Sequence, residues 1–128
     1  MRKSFLILST FLLFILNACS AVPVKYSDGF TEEKSSAGVY RVQFTGNGTT
    51  SADSAEKMLL RRCAELTQKE GYDHFTFYTK SRSDKVTYDS NVSVPRFYGV
   101  IHMHKGAVDE GYNVQNILAE PLPTDIQE

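Results

Sequence analysis

From Gly38 to Thr45, apolar Tyr40, Val42 and Phe44 alternate with Arg41 and Gln43, the period-two signature of a half-buried strand. Gly46-Asn47-Gly48 breaks it. The period then lengthens: Ala52, Ala55, Leu59, Cys63 and Leu66 recur at steps of three and four, with Arg61, Arg62, Glu65, Gln68 and Lys69 on the other side, predicting a long helix. Thr50, Ser51 and Asp53 offer capping oxygens, Thr50 and Asp53 at capping-box spacing, and Gly71 is placed to end the helix. Alternation returns from Tyr72 to Thr79, where Phe75 and Phe77 oppose His74, Thr76 and Tyr78. It returns again from Arg96 to Lys105, where Phe97, Ile101 and Met103 oppose Tyr98, Val100, His102 and His104. Between these runs, Lys80 to Pro95 is rich in Ser, Asp and Lys and reads as a long loop with a short extended piece at Val86-Thr87-Tyr88. Asn113 to Ala119 predicts a short closing helix that buries Val114, Ile117 and Leu118.

These elements predict an α+β fold: a two-layer domain over 38–119, with one long helix on a three-stranded mixed sheet and a short C-terminal helix. A crossover through the helix lets the third strand insert antiparallel between the first two. Ser20 to Ala37 shows neither period, so 19–37 is expected to be a tether, and 120–128 a flexible tail.

The first residues change the picture. Arg2-Lys3, an apolar run from Phe5 to Leu16, and Leu16-Asn17-Ala18-Cys19 follow in the order of a secretory signal, which places a signal peptide at 1–18. A bilayer-spanning helix needs about 20 apolar residues, and this run is interrupted by Ser9, Thr10 and Asn17. Leu16-Asn17-Ala18-Cys19 resembles the lipobox of bacterial lipoproteins, with Asn17 a less usual second residue. The resemblance implies acylation of the Cys19 thiol, cleavage before it, and attachment to the membrane through covalent lipid. Each buried methylene contributes about 0.8 kcal/mol and one chain anchors only marginally, so the expected two or three chains hold durably. Ser20, where many inner-membrane lipoproteins carry Asp, implies the bacterial outer membrane with the domain facing the periplasm.

Removal of Arg2 and Lys3 from the 14 basic residues leaves 12 against 15 acidic ones. This mildly acidic balance gives no footing for nucleic acid, and there is no basic run for anionic lipid. With Cys19 acylated, Cys63 has no partner for an internal disulfide and, lying on the apolar stripe of the helix, is expected to be a small buried hydrophobe.

A second resemblance lies in the domain. Tyr40-Arg41-Val42, Leu59 to Thr67 with its Ala64-Glu65-Leu66-Thr67, and Gly71-Tyr72-Asp73-His74-Phe75 together resemble a family of small, largely uncharacterised proteobacterial envelope lipoproteins. The likeness covers roughly 38 to 79 and implies compartment and domain identity, with no catalytic residues to carry over.

Candidate chemistry is sparse. His102 and His104 are two apart on a strand and so share a face, and His74 is on a neighbouring segment; together they form a candidate metal-ligand set. Tyr78, Tyr98, His102 and His104, joined by Arg41 and Gln43, form a candidate interaction surface for an envelope protein or glycan. Ser51, Ser54 and Asp53 are better explained by capping than by nucleophilic catalysis. No Gly-x-Ser-x-Gly elbow, His-Glu-x-x-His or phosphate loop occurs. The sequence therefore predicts a non-enzymatic lipoprotein without cofactor whose periplasmic domain has a protein-interaction or envelope-maintenance role; a metal or small-ligand sensor built on the His102/His104 face is the alternative.

Overall fold

A computed structural model of the chain describes residues 23–87 and 91–128. The expected signal peptide, Cys19 and Tyr88 lie outside the described residues. In chain order the elements are β1 (Val24–Lys25), α1 (Tyr26–Gly29), β2 (Phe30–Ser36), β3 (Val39–Thr45), α2 (Ala52–Lys69) and β4 (His74–Arg82). There follow β5 (Lys85–Thr87), β6 (Val92–Val94), β7 (Arg96–His104), β8 (Tyr112–Asn113), α3 (Val114–Leu118) and β9 (Ile126–Gln127).

The fold is not the expected long helix on a three-stranded mixed sheet. Among the described residues it is mostly β, 42% strand against 26% helix, around a five-stranded antiparallel sheet in the order β2-β3-β7-β4-β8. β7 lies between β3 and β4, antiparallel to both. The two additional strands fill its edges. β8 pairs with β4 through only His74↔Asn113 and Phe75↔Tyr112, too short to leave a periodic trace in sequence. β2 pairs with β3 from Phe30↔Phe44 to Ser36↔Val39 around a two-residue connection in which Gly38 takes φ +72°.

β2 escaped notice as a strand because almost none of it is apolar. Its helix-facing side is held by charge: the Glu32 carboxylate accepts hydrogen bonds from Arg62 Nε at 2.6 Å and Nη2 at 2.8 Å. Arg62 also lies 4.1 Å from the Phe30 ring centroid, and Lys34 Nζ is 3.4 Å from Glu70. Such partly exposed pairs contribute about 0–1 kcal/mol each, so they fix register while Phe30 and main-chain pairing hold the strand. The 30–36 part of the expected tether is therefore the edge of the sheet.

The expected flexible tail is pinned as well. Ile126 is buried, β9 pairs in parallel with β1, and the Asp125 carboxylate accepts from Ser51 N–H at 2.9 Å and from the Ser54 hydroxyl at 2.6 Å. Burial pulls the Asp125 pKa upward, but these bonds from Ser51 and Ser54 outweigh it and hold the carboxyl below its usual range. A carboxylate here also complements the N-terminal end of α2.

α2 begins at Ser51, whose hydroxyl accepts from Ser54 N–H at 3.1 Å, one residue along from the predicted Thr50/Asp53 box. It ends in a Schellman arrangement: Gly71 at φ +85° donates to the Gln68 carbonyl, and Tyr72 N–H to that of Thr67. Its apolar stripe, Ala55, Met58, Leu59, Cys63 and Leu66, packs on Tyr40, Val42, Phe44, Phe75, Ile101 and Met103 of the sheet. Cys63 is fully buried, which pushes its thiol well above the usual range and leaves it a packing residue. The expected 80–95 loop is instead the end of β4 followed by the strands β5 and β6, which pair from Lys85↔Val94 to Thr87↔Val92.

Candidate functional site

Helix α2 covers one face of the sheet, and no described helix packs on the other. Strand β7 makes the division: Phe97, Gly99, Ile101 and Met103 are buried against the helix layer, whereas Tyr98, Val100, His102 and His104 are half-buried on the open side. Register places the neighbours. Val39, Arg41 and Gln43 of β3 are the cross-strand partners of His102, Val100 and Tyr98; His74 and Thr76 of β4 are those of His104 and His102. The three histidines predicted from sequence thus share one continuous surface.

Tyr78 joins them through a break in the ladder. A register shift between Phe77 and Thr79 makes Tyr78 the extra residue of a bulge, 62% exposed. Its ring lies 5.5 Å from that of His102 at an interplanar angle of 14°, and its hydroxyl is 3.2 Å from His102 Nδ1. The His102 and His104 rings are 4.5 Å apart. His104 Nε2 shares a hydrogen bond with the Thr76 hydroxyl at 2.9 Å. His74 Nδ1 meets the Asp73 carboxylate at 2.7 Å, and Asp73 also accepts from Gly106 N–H at 2.7 Å. Partial burial, followed by the neighbouring His102 and His74, lowers the His104 pKa from the usual imidazole value.

These partners bear on the metal expectation. Each histidine has a ring nitrogen engaged by Asp73, Tyr78 or Thr76, and among the described residues no group of three His, Cys, Asp or Glu side chains is arranged to hold a metal ion. Shared facing is a weaker condition than convergence of three lone pairs on one point. The surface is instead a run of rings with hydrogen-bonding tips, Tyr78 stacked on His102 and His104 tilted against it.

Beyond Tyr98 the surface sinks into a shallow concavity of about 260 Å3 whose lining includes Thr31, Glu32, Glu33, Arg41, Gln43 and Tyr98. Thr31 and Glu33 were missed in the sequence because their strand carries too little apolar pattern; Gly38 just before Val39 was the available hairpin signal. Tyr98 is thus placed between the concavity and the histidine cluster.

The remaining candidate nucleophiles are structural. Ser51 and Ser54 are bonded to one another at 2.9 Å and to Asp125 as the start of α2, at the sheet end remote from His102 in the register of β7. Among the described residues no helix is long and apolar enough to cross a membrane. Scanned against protein-family models, curated proteins and solved structures, the chain matches none.

Proposed function

We propose that this chain is a non-enzymatic lipoprotein of the bacterial outer membrane, acylated at Cys19, whose periplasmic domain acts by binding another envelope protein through the open sheet face. The observation that carries the docking part is the division of the sheet: one face is filled by α2, and the other presents Tyr78, Tyr98, His102 and His104 with no described helix over them. Exposed aromatic rings with polar tips are the residue types enriched where proteins meet. The signal anatomy around Cys19 and the resemblance to envelope lipoproteins support the compartment. Burial of Cys63 and the capping role of Ser51 and Ser54 favour binding over covalent catalysis.

The anchor is tested by intact mass of membrane-extracted protein beside Cys19→Ala, with fractionation of the two membranes. An acyl mass increment that disappears with Cys19 and follows the outer membrane supports the reading; an unmodified, uncleaved wild-type chain contradicts it. The docking face is tested by crosslinked pull-down with Tyr98→Ala and His102→Ala. A partner recovered with wild type and lost with both variants is expected, and no reproducible partner would count against the surface.

A further inference from the structure

We propose that the domain sits directly on the bilayer that holds its lipid, touching it with the end of the fold that carries β5 and β6, and that Val86 and Val92 enter the headgroup layer there. The inference rests on the acylated-Cys19 reading above and adds to it a contact surface and an orientation.

The first observation is how little chain separates the lipid from the fold. The tether expected as far as Ala37 is cut short, because β1 begins at Val24 and is held to the body by β9, whose Ile126 is buried. Val24 is five residues after Cys19, a span of at most about 18 Å when fully extended. Headgroups occupy about 5–8 Å of each leaflet outside the hydrocarbon. Whichever part of the domain surrounds Val24 is therefore held within roughly 10–13 Å of the headgroup surface.

The second observation is which part that is. Val24 pairs with Ile126, and the neighbouring Asp125 accepts from Ser51 N–H, so the chain enters beside the start of α2. The segment leading to Ser51 contains Gly46, whose N–H donates to the Pro95 carbonyl at 2.9 Å. Pro95 directly follows β6, and Val92 and Val94 of that strand line a hollow against Gly46 and Gly48. The entry of the lipidated chain and the β5/β6 ribbon thus share one end of the molecule. From that end β7 runs away, with His102 about 20 Å along the strand from Arg96.

The third observation is what this end exposes. Among the described residues the large hydrophobic side chains left exposed are Tyr78 on the open face, and Val86 and Val92 here. Pairing of Val86 with Ser93 and of Thr87 with Val92 puts the two valines on opposite faces of the ribbon. A folded protein docked on a two-stranded ribbon covers one of its faces, whereas a fluid interface covers both. Charge is mixed at this end, Lys25, Lys85 and Arg96 being offset by Asp28, Asp125 and Glu128, so the contact is apolar and does not depend on anionic lipid. The acyl chains supply the affinity, and the valines set the orientation. The sheet then stands on its β5/β6 end, with the histidine end of the open face clear of lipid.

The test uses the full-length acylated protein in vesicles of phosphatidylethanolamine and phosphatidylglycerol. With Cys19 acylated and Cys63 buried, an introduced cysteine is the thiol that takes an environment-sensitive fluorophore. One protein carries Ser93→Cys in β6 and another carries Ala37→Cys in the turn between β2 and β3, both exposed and at opposite ends of the sheet. Lipid spin-labelled on its headgroup is expected to quench position 93 severalfold more strongly than position 37. Val86→Asp with Val92→Asp, added to the Ser93→Cys protein, is expected to weaken that quenching severalfold. Equal quenching at both positions, or stronger quenching at 37, overturns the orientation; quenching at 93 that the paired Asp substitutions leave unchanged overturns the valine contact. Flotation separates this inference from the reading beneath it. A wild-type chain that does not float with the vesicles overturns the acyl anchor and the inference together, while a floating protein with position 93 unquenched overturns the inference alone.

Discussion

The two sides of β7 are the most instructive contrast in the molecule. Along the same nine residues, Phe97, Gly99, Ile101 and Met103 are buried while the alternating Tyr98, Val100, His102 and His104 remain half-open. Both sides obey the same pleat and the same hydrogen-bond ladder. They differ in what covers them: α2 on one, no described helix on the other. Stability is therefore expected to be concentrated on the inner side and recognition on the outer, and substitutions on the two sides should separate these properties.

The inner side should fail hardest. Phe44, fully buried in the core between α2 and the Tyr26 ring, is the largest loss available, and Phe44→Ala is expected to cost about 3–5 kcal/mol in urea denaturation. Ile101→Ala should follow at about 2–5 kcal/mol. Gly99 tests the same side from the opposite direction: a Cβ there meets the Phe77 ring at 2.5 Å, so Gly99→Ala is expected to destabilise by about 1–3 kcal/mol through overpacking. A neutral Gly99→Ala would show that Phe77 moves freely and that the inner face is less tightly filled than the packing indicates.

Smaller effects are expected where polar contacts replace packing. Ser51→Ala removes the cap of α2 and should cost about 1 kcal/mol, with faster amide exchange around Ile126 as the Asp125 contact loosens. On the outer side, Tyr98→Ala and His102→Ala should change stability by no more than about 0.5 kcal/mol while abolishing partner capture. The His104 shift has a defined sign. Its folded pKa lies below its unfolded value, so its contribution to stability is complete above the ordinary imidazole range and is lost as pH falls through the folded pKa. A small decline in melting temperature on acidification, absent in His104→Gln, is expected. A decline of the same size in that variant would assign it to other groups.

How much of this was legible in the sequence follows from the same physics. α2, β7 and the two strands beside it declare themselves because they bury one side and wet the other, which writes period 3.6 or period 2 into the chain. β2 does not, since Glu32 and Lys34 meet α2 through Arg62 and Glu70 and a charged residue facing inward looks no different from one facing out. β8 and β9 are two residues each, shorter than any period. The tail is held by Ile126 and Asp125, contacts that exist only once α2 has brought Ser51 and Ser54 into place. At the site, the shared face of His102 and His104 was readable from their spacing. Whether the histidines converge as ligands was not, because that depends on the bulge at Tyr78 and on the hydroxyl of Thr76.

The central claim is that the open face meets a partner and the helix-covered side does not. The most direct measurement places a photoreactive amino acid at position 98 and, in a separate protein, at position 53 on exposed α2, with both irradiated in intact cells. A discrete crosslinked protein from position 98 that is missing from position 53 is the predicted result. The same product from both positions, or none from position 98, would contradict the account.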